Sequence, residues 1–117
     1  MEERIGLIDI GSNTIRLVIF KFSKDIGLNE LLNIKTPARL SQYLTKENKM
    51  SQEGIKVLIE ALRSFKSVSE KFKVKELHPV ATAAIRQSEN NDEIVKKVKD
   101  ELDINISIIP EKEEAYY

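Results

Sequence analysis

The 117-residue sequence has no cysteine, no tryptophan and one histidine, His78. Without cysteine, the chain cannot form a disulfide, a thiolate zinc site or a cysteine nucleophile, and this composition fits a reducing compartment. With a single histidine in addition, a dedicated transition-metal site is not expected. His78 precedes Pro79 at the entry of a predicted strand, where we interpret it as a packed or solvent-facing residue.

The sequence also lacks an excess of either charge and any long apolar run. It has 19 basic and 19 acidic residues; those up to Met50 include 8 basic and 6 acidic ones, and the later residues include 11 and 13. Neither part is basic enough for bulk binding of nucleic acid or an anionic membrane. The start, "MEERIGLIDI", has acidic residues where a signal peptide needs basic ones, and no apolar run approaches a membrane span. We therefore expect a soluble, cytoplasmic protein that binds neither nucleic acid nor a membrane.

Hydrophobic residues make up 41% of the sequence, which is enough for one domain with a single core. β-Branched and aromatic residues on both sides of "GSN" predict a hairpin. Ser51, followed by apolar residues at three- and four-residue steps, predicts a capped amphipathic helix. The predicted strands are residues 4–9, 14–22, 30–38, 76–84 and 104–110, and the predicted helices are residues 51–72 and 89–102.

This order of elements predicts an α/β fold with one mixed five-stranded sheet. Short turns between the first three strands require an antiparallel meander, whereas helices between the later strands require parallel pairing. We expect helices on the faces of the sheet. A further helix is predicted to begin at Glu111, but "EKEEAYY" has no room for its second turn. The sequence leaves open whether this end belongs to a longer protein or is a frayed tail.

The "GSN" turn of the hairpin is flanked by Asp9 and Arg16. Gly11 permits close approach of the backbone, and the side chains of Ser12 and Asn13 add donors to the amides of the turn. Arg16, in a mostly apolar strand, needs an anion, and Asp9 can hold a hard cation. The turn therefore suits a phosphate with its magnesium. It equally suits an ordinary hairpin in which Asp9 forms an Asx-turn and Arg16 pairs with a neighbouring carboxylate.

Four segments of the sequence form an ordered set of motifs. They are "IDIGSNTIRLVI" from Ile8, "ARL" from Ala38, "VATAAIRQSENN" from Val80 and "EKEEA" from Glu111. Together they resemble the motifs of the exopolyphosphatase and guanosine pentaphosphate phosphatase (Ppx/GppA) family. The resemblance implies the N-terminal half of a ribonuclease H-like, actin-like fold. The sequence departs from the family pattern at Glu111, where glycine is usual, and at Tyr116, where arginine is frequent.

The resemblance also implies roles for individual residues. Asp9 would position Mg2+, and Glu114 would orient or deprotonate the attacking water. The phosphate-binding residues would be Gly11, Ser12, Asn13 and Arg16, with Arg39 and Arg86 as second-tier contacts. From the residues alone, Arg39 and Arg86 equally suit partners for carboxylates at strand ends, and Glu114 suits a structural acid in the first turn of a helix.

The implied activity is hydrolysis of a terminal phosphoanhydride with Mg2+, in inorganic polyphosphate or guanosine pentaphosphate. Family members are considerably longer, so we expect residues 1–117 to be a single N-terminal subdomain that lacks the second actin-like subdomain and is inactive alone. Two alternatives remain open. One is half of an ATP-dependent sugar kinase or chaperone with the same fold, and the other is a non-catalytic binding or assembly domain. A face left open by the missing part could also form a homodimer.

Overall fold

The computed structural model describes residues 3–108, and of residues 83 and 84 it describes the backbone alone. The strands are β1 (Glu3–Ile10), β2 (Thr14–Ser23), β3 (Gly27–Pro37), β4 (Glu76–Ala81) and β5 (Ser107–Ile108). The helices are α1 (Gln52–Lys71), α2 (Ala83–Gln87) and α3 (Asn91–Leu102), and a 3-10 helix covers Leu40–Tyr43. The helix predicted from Glu111 lies outside the described residues.

The five strands form one mixed sheet in the order β3-β2-β1-β4-β5. β2 pairs antiparallel with β1 and β3, whereas β1 with β4 and β4 with β5 pair in parallel. The predicted meander followed by parallel strands is therefore confirmed. Because only β2 opposes the other strands, β1, β3 and β4 all end at one edge of the sheet, after Ile10, Pro37 and Ala81. We call this the carboxyl edge.

β3 does not pair with β2 in one continuous register. Ile19 lies opposite Leu32, but the next residue of β2, Phe20, lies opposite Glu30. Leu31 is therefore an extra residue, a β-bulge that shifts the pairing by one position. The bulge explains why the alternation of polar and apolar residues in this strand is poor.

One face of the sheet packs against the helices and forms the core. Its strand residues Ile8, Ile15 and Leu17 are fully buried. They cluster with buried side chains of α1 and α3, including Leu58 and Ile94. Each buried side chain of this kind contributes about 1.5–3 kcal/mol to folding. We call this the core face.

The opposite face carries every second strand residue, among them Leu7, Asp9 and Arg16. Leu7 and Phe22 on this face keep 38% and 44% of their surface exposed. Within residues 3–108 it is therefore less covered than the core face, and we call it the open face. Besides these apolar side chains, the open face carries the charged residues Asp9 and Arg16 close to the carboxyl edge.

The helix α1 follows its prediction closely. Ser51 caps its start, because its Oγ accepts a hydrogen bond from Gly54 N at 3.2 Å, and Phe72 is its C-cap residue. Within residues 3–108, no helix combines the length and the apolar sequence needed to cross a membrane.

Two short elements, the 3-10 helix and α2, were not predicted.

Asn90 is the N-cap residue of α3, but its side chain makes no capping hydrogen bond. Instead its amide accepts from Met50 N at 2.9 Å and donates to Met50 O at 3.1 Å. The Asn90 side chain therefore links the loop before α1 to the loop before α3 by two hydrogen bonds.

Candidate functional site

The turn Gly11, Ser12 and Asn13 joins β1 to β2 at the carboxyl edge. Gly11 N donates to Thr14 O at 3.0 Å, and a Cβ added to Gly11 would lie 3.0 Å from that same oxygen. A side chain at Gly11 would therefore press on the hydrogen bond that closes the turn. Elsewhere in the turn, the N–H groups of Ser12 and Asn13 make no hydrogen bond within residues 3–108.

The segment after β3 binds the outer side of this turn. Arg39 N donates to Asn13 O at 2.9 Å, and Ser41 N donates to Ser12 O at 3.0 Å. Ser41 Oγ also donates to Asn13 Oδ1 at 3.3 Å. The C=O and N–H of one trans peptide point in opposite directions. Because Ser41 N donates a hydrogen bond to the carbonyl of Ser12, the N–H of Asn13 in the same peptide points away from this segment and is available to a ligand.

The same contacts fix Arg39 beside the turn. Its backbone is left-handed, with φ 50° and ψ 49°, and its neighbours Ala38 and Leu40 are buried. The Arg39 side chain is exposed and makes no hydrogen bond or ion pair with any described residue. Two buried neighbours therefore hold the backbone of Arg39 at the carboxyl edge.

Asp9 and Arg16 are direct cross-strand partners on the open face. In such pairs the Cβ atoms are about 4.5–5.5 Å apart, so both side chains stand beside the turn. Asp9 is exposed and Arg16 is half-buried, and neither makes an ion pair or side-chain hydrogen bond within the described part of the chain. The expectation that an ordinary hairpin would pair Arg16 with an internal carboxylate is not met among these residues.

The end of β4 lies directly beside the end of β1. Thr82 donates to Ile10 O twice, from its N at 3.1 Å and from its Oγ1 at 3.2 Å. α2 then begins, with Arg86 N donating to Thr82 O at 2.9 Å. Arg86 is half-buried and has a further interaction, so it is not a free cation. The topology thus brings the segments that carry Arg39 and Arg86 to the edge that holds the turn.

The fit of a magnesium ion can be judged from Asp9. Its carboxylate is exposed and has no hydrogen bond within residues 3–108, so its oxygens are available to a hard cation. No group of three or more potential metal ligands occurs among those residues. A single carboxylate fits Mg2+, which keeps several waters and commonly uses substrate phosphates as ligands. Glu114, the predicted catalytic residue, lies outside the described residues.

Sequence reasoning did not single out Lys35, Ser41 or Thr82. The hairpin register puts Lys35 opposite Arg16, and the other two contact the turn or the end of β1. Thr82 belongs to the "VAT" motif, which could have identified it. His78 was interpreted as packed or solvent-facing; it is exposed, and its Nε2 lies 3.2 Å from Glu76 Oε2.

Comparison with known proteins identifies the family. The model of the Ppx/GppA phosphatase family matches residues 18–117. The chain belongs to this family. The Ppx/GppA family member of Aquifex aeolicus has a solved structure that aligns with 99% of this chain and 38% of its own, with a TM-score of 0.88 and 32% identity. This likeness confirms the predicted actin-like fold.

Two curated proteins are similar in sequence to nearly the whole of this chain. Exopolyphosphatase 1 of Mycobacterium bovis is 24% identical over 96% of this chain. Guanosine-5'-triphosphate,3'-diphosphate pyrophosphatase of Photobacterium profundum is 30% identical over 92% of this chain. The chain spans 33% of the length of the first relative and 22% of the second.

Proposed function

We propose that the full-length protein hydrolyses a terminal phosphoanhydride of inorganic polyphosphate or guanosine pentaphosphate, with Mg2+ as cofactor. One observation carries the proposal: Asp9 and Arg16, which have no partner within residues 3–108, stand side by side next to a turn with two N–H groups that are also unpaired within those residues. A phosphoryl group with a bound cation needs hydrogen-bond donors to its oxygens and a carboxylate for the cation, close together as they are here. Membership in a phosphatase family supports the same reading.

The residues of the turn bind and orient the terminal phosphoryl group. Its oxygens accept hydrogen bonds from the N–H groups of Ser12 and Asn13, and Gly11 lets the backbone come close. Arg16 donates to further oxygens and offsets negative charge as the bond to the leaving phosphate lengthens. Asp9 would hold Mg2+, and the ion would supply positive charge to the phosphate oxygens when bound. Positioning and charge compensation supply most of the rate enhancement in such a site.

Three further residues complete the proposed site. Arg39, whose side chain has no partner among the described residues, binds phosphate oxygens from the carboxyl edge. Arg86 is a second contact from the segment after β4. Glu114 accepts a proton from the attacking water or orients it, which places the general base in the segment that follows β5.

The experiment is a measurement of orthophosphate release by the full-length protein with Mg2+, using polyphosphate and guanosine pentaphosphate in separate assays. We expect turnover of at least one substrate and a loss of about 10²–10⁴-fold in kcat for Glu114→Gln, because the amide cannot take a proton. Glu113→Gln is the matched control and should retain most activity. Release of phosphate from neither substrate, or an unchanged rate for Glu114→Gln, would contradict the proposal.

The two substrates and the role of residues 1–117 are separate parts of the proposal. The ratio of kcat/KM for polyphosphate to that for guanosine pentaphosphate assigns the preferred substrate. We propose that residues 1–117 alone release almost no phosphate, because the family resemblance implies that they lack the second actin-like subdomain. A rate for residues 1–117 equal to that of the full-length protein would show that this second subdomain is not needed.

A further inference from the structure

We propose that Lys35 binds the phosphoryl group next to the terminal one, and so makes the site prefer linear chains of phosphoryl groups over a single phosphate. The inference rests on the proposed function. Lys35 is the direct cross-strand partner of Arg16, which is itself the partner of Asp9. The three side chains therefore form one row across β1, β2 and β3. Since neighbouring strands are about 4.8 Å apart, the row extends about 10 Å from Asp9.

The β-bulge puts Lys35 in this row. The pairing begins at the far end of the hairpin with Ser23 opposite Gly27. If that register continued through Leu31 without a shift, Ile34 would lie opposite Arg16, and Lys35 would turn to the core face. Because a shift of one residue exchanges the two faces of a strand, the bulge moves Lys35 onto the open face beside Arg16.

The row contains two cations and one carboxylate, so its net positive charge favours an anion. Like charges directly opposite each other on neighbouring strands destabilise a sheet. Lys35 is exposed, and neither it nor Arg16 makes an ion pair or side-chain hydrogen bond within residues 3–108. A chain of phosphoryl groups that ends at the turn and crosses Arg16 meets Lys35 next. β3 is the edge strand of the sheet, so the rest of such a chain can leave the site past Lys35.

An ordinary structural role for Lys35 makes a different prediction. Lysines on edge strands discourage pairing with other sheets. In that role Lys35 would affect association of the protein but not the length of phosphate chain that it binds. The two roles are therefore separated by comparing ligands that differ only in the number of phosphoryl groups.

The experiment measures dissociation constants of the full-length protein for orthophosphate, tripolyphosphate and guanosine triphosphate. Mg2+ is removed by a chelator to prevent turnover, and the readout is the chemical shift of the Gly11 amide after labelling with ¹⁵N-glycine. We expect Lys35→Ala to weaken tripolyphosphate binding about three- to tenfold and orthophosphate binding less than about twofold. Lys35→Arg keeps the positive charge and should retain most of the wild-type affinity for tripolyphosphate. Lys24→Ala, at the opposite end of the hairpin, should change neither constant.

The outcomes separate the two proposals. An unchanged affinity for tripolyphosphate in Lys35→Ala, or equal weakening of both inorganic ligands, overturns the role of Lys35 while leaving the proposed function in place. A wild-type Gly11 amide that responds to none of the three ligands overturns the role of Lys35, and the phosphate-release assay with Mg2+ then decides whether the proposed function fails as well. If Lys35→Ala weakens the binding of both tripolyphosphate and guanosine triphosphate, Lys35 binds any phosphate chain. If it weakens only the binding of tripolyphosphate, Lys35 is specific for inorganic chains.

Discussion

The two turns of the β1-β2-β3 meander have the same length but different surroundings. Residues 11–13 join β1 to β2, and residues 24–26 join β2 to β3. The first turn accepts two backbone hydrogen bonds from the segment after β3. The second is fixed locally, by Gly27 with φ 87° and by Ile26 N donating to Ser23 Oγ at 3.3 Å. Ile26 there is 70% exposed.

The difference separates what a hairpin needs from what a binding site needs. A turn that only connects strands requires permissive backbone chemistry, and the second turn has no more than that. Support from distant segments costs conformational freedom and is expected where a precise geometry serves binding. The first turn has such support, and the charged residues on its two sides, Asp9 and Arg16, have no partner in the described part of the chain. If the contrast is functional, changes at the first turn should affect catalysis and matched changes at the second turn should not.

The largest expected effect is on catalysis and concerns the cations near each turn. In the full-length protein we expect Arg16→Ala to lower kcat/KM for phosphate release about 10²–10³-fold, because a donor to the developing charge is lost. Lys24→Ala, in the second turn, removes one positive charge as well and should change kcat/KM less than about twofold. Equal losses in the two variants would mean that only the overall charge matters and that the contrast between the turns has no catalytic meaning.

The next effect is on stability and concerns the apolar residue near each turn. Leu40 is fully buried and anchors the segment that holds the first turn. We expect Leu40→Ala to lower the free energy of unfolding by about 2–3 kcal/mol, measured by urea denaturation. Ile26→Ala is the matched change at the second turn, and a loss within about 0.5 kcal/mol is expected there because the side chain is largely exposed. A large loss for Ile26→Ala would show that the second turn also has tertiary support.

The fold was more predictable than the site, for reasons that individual residues make clear. Ser51 and the apolar periodicity after it predict α1 because both are local signals. The contact of Ser41 with Asn13 joins residues 28 positions apart and has no local signal. Lys35 was not proposed because the face it occupies depends on the bulge at Leu31, for which the sequence has no local signal. The poor alternation of polar and apolar residues in β3 was visible in the sequence, but the position of the extra residue is given only by the pairing of β2 with β3.

The candidate site residues divide in the same way. Gly11, Asp9 and Arg16 could be proposed from one short hairpin because their spacing fixes their relation across two strands. Arg39 and Arg86 required the family resemblance, because they follow other strands and reach the edge only through the sheet topology. Their segments do reach that edge, but contact with phosphate stays a prediction, as does the role of Glu114.

The smallest expected effect concerns one exposed serine hydroxyl at each turn. Ser41 Oγ donates to Asn13 Oδ1, and Ser23 Oγ accepts from Ile26 N, both at 3.3 Å. Exposed hydrogen bonds of this length contribute little, so Ser41→Ala and Ser23→Ala should each lower the free energy of unfolding by about 0.5 kcal/mol or less. Their effects on kcat/KM for phosphate release should differ. We expect a loss of about twofold to threefold for Ser41→Ala, because Asn13 becomes less well fixed while the backbone bonds remain, and no change for Ser23→Ala. A loss above tenfold for Ser41→Ala would instead make Ser41 a direct contact of the substrate, and a matching loss for Ser23→Ala would remove the distinction between the two turns.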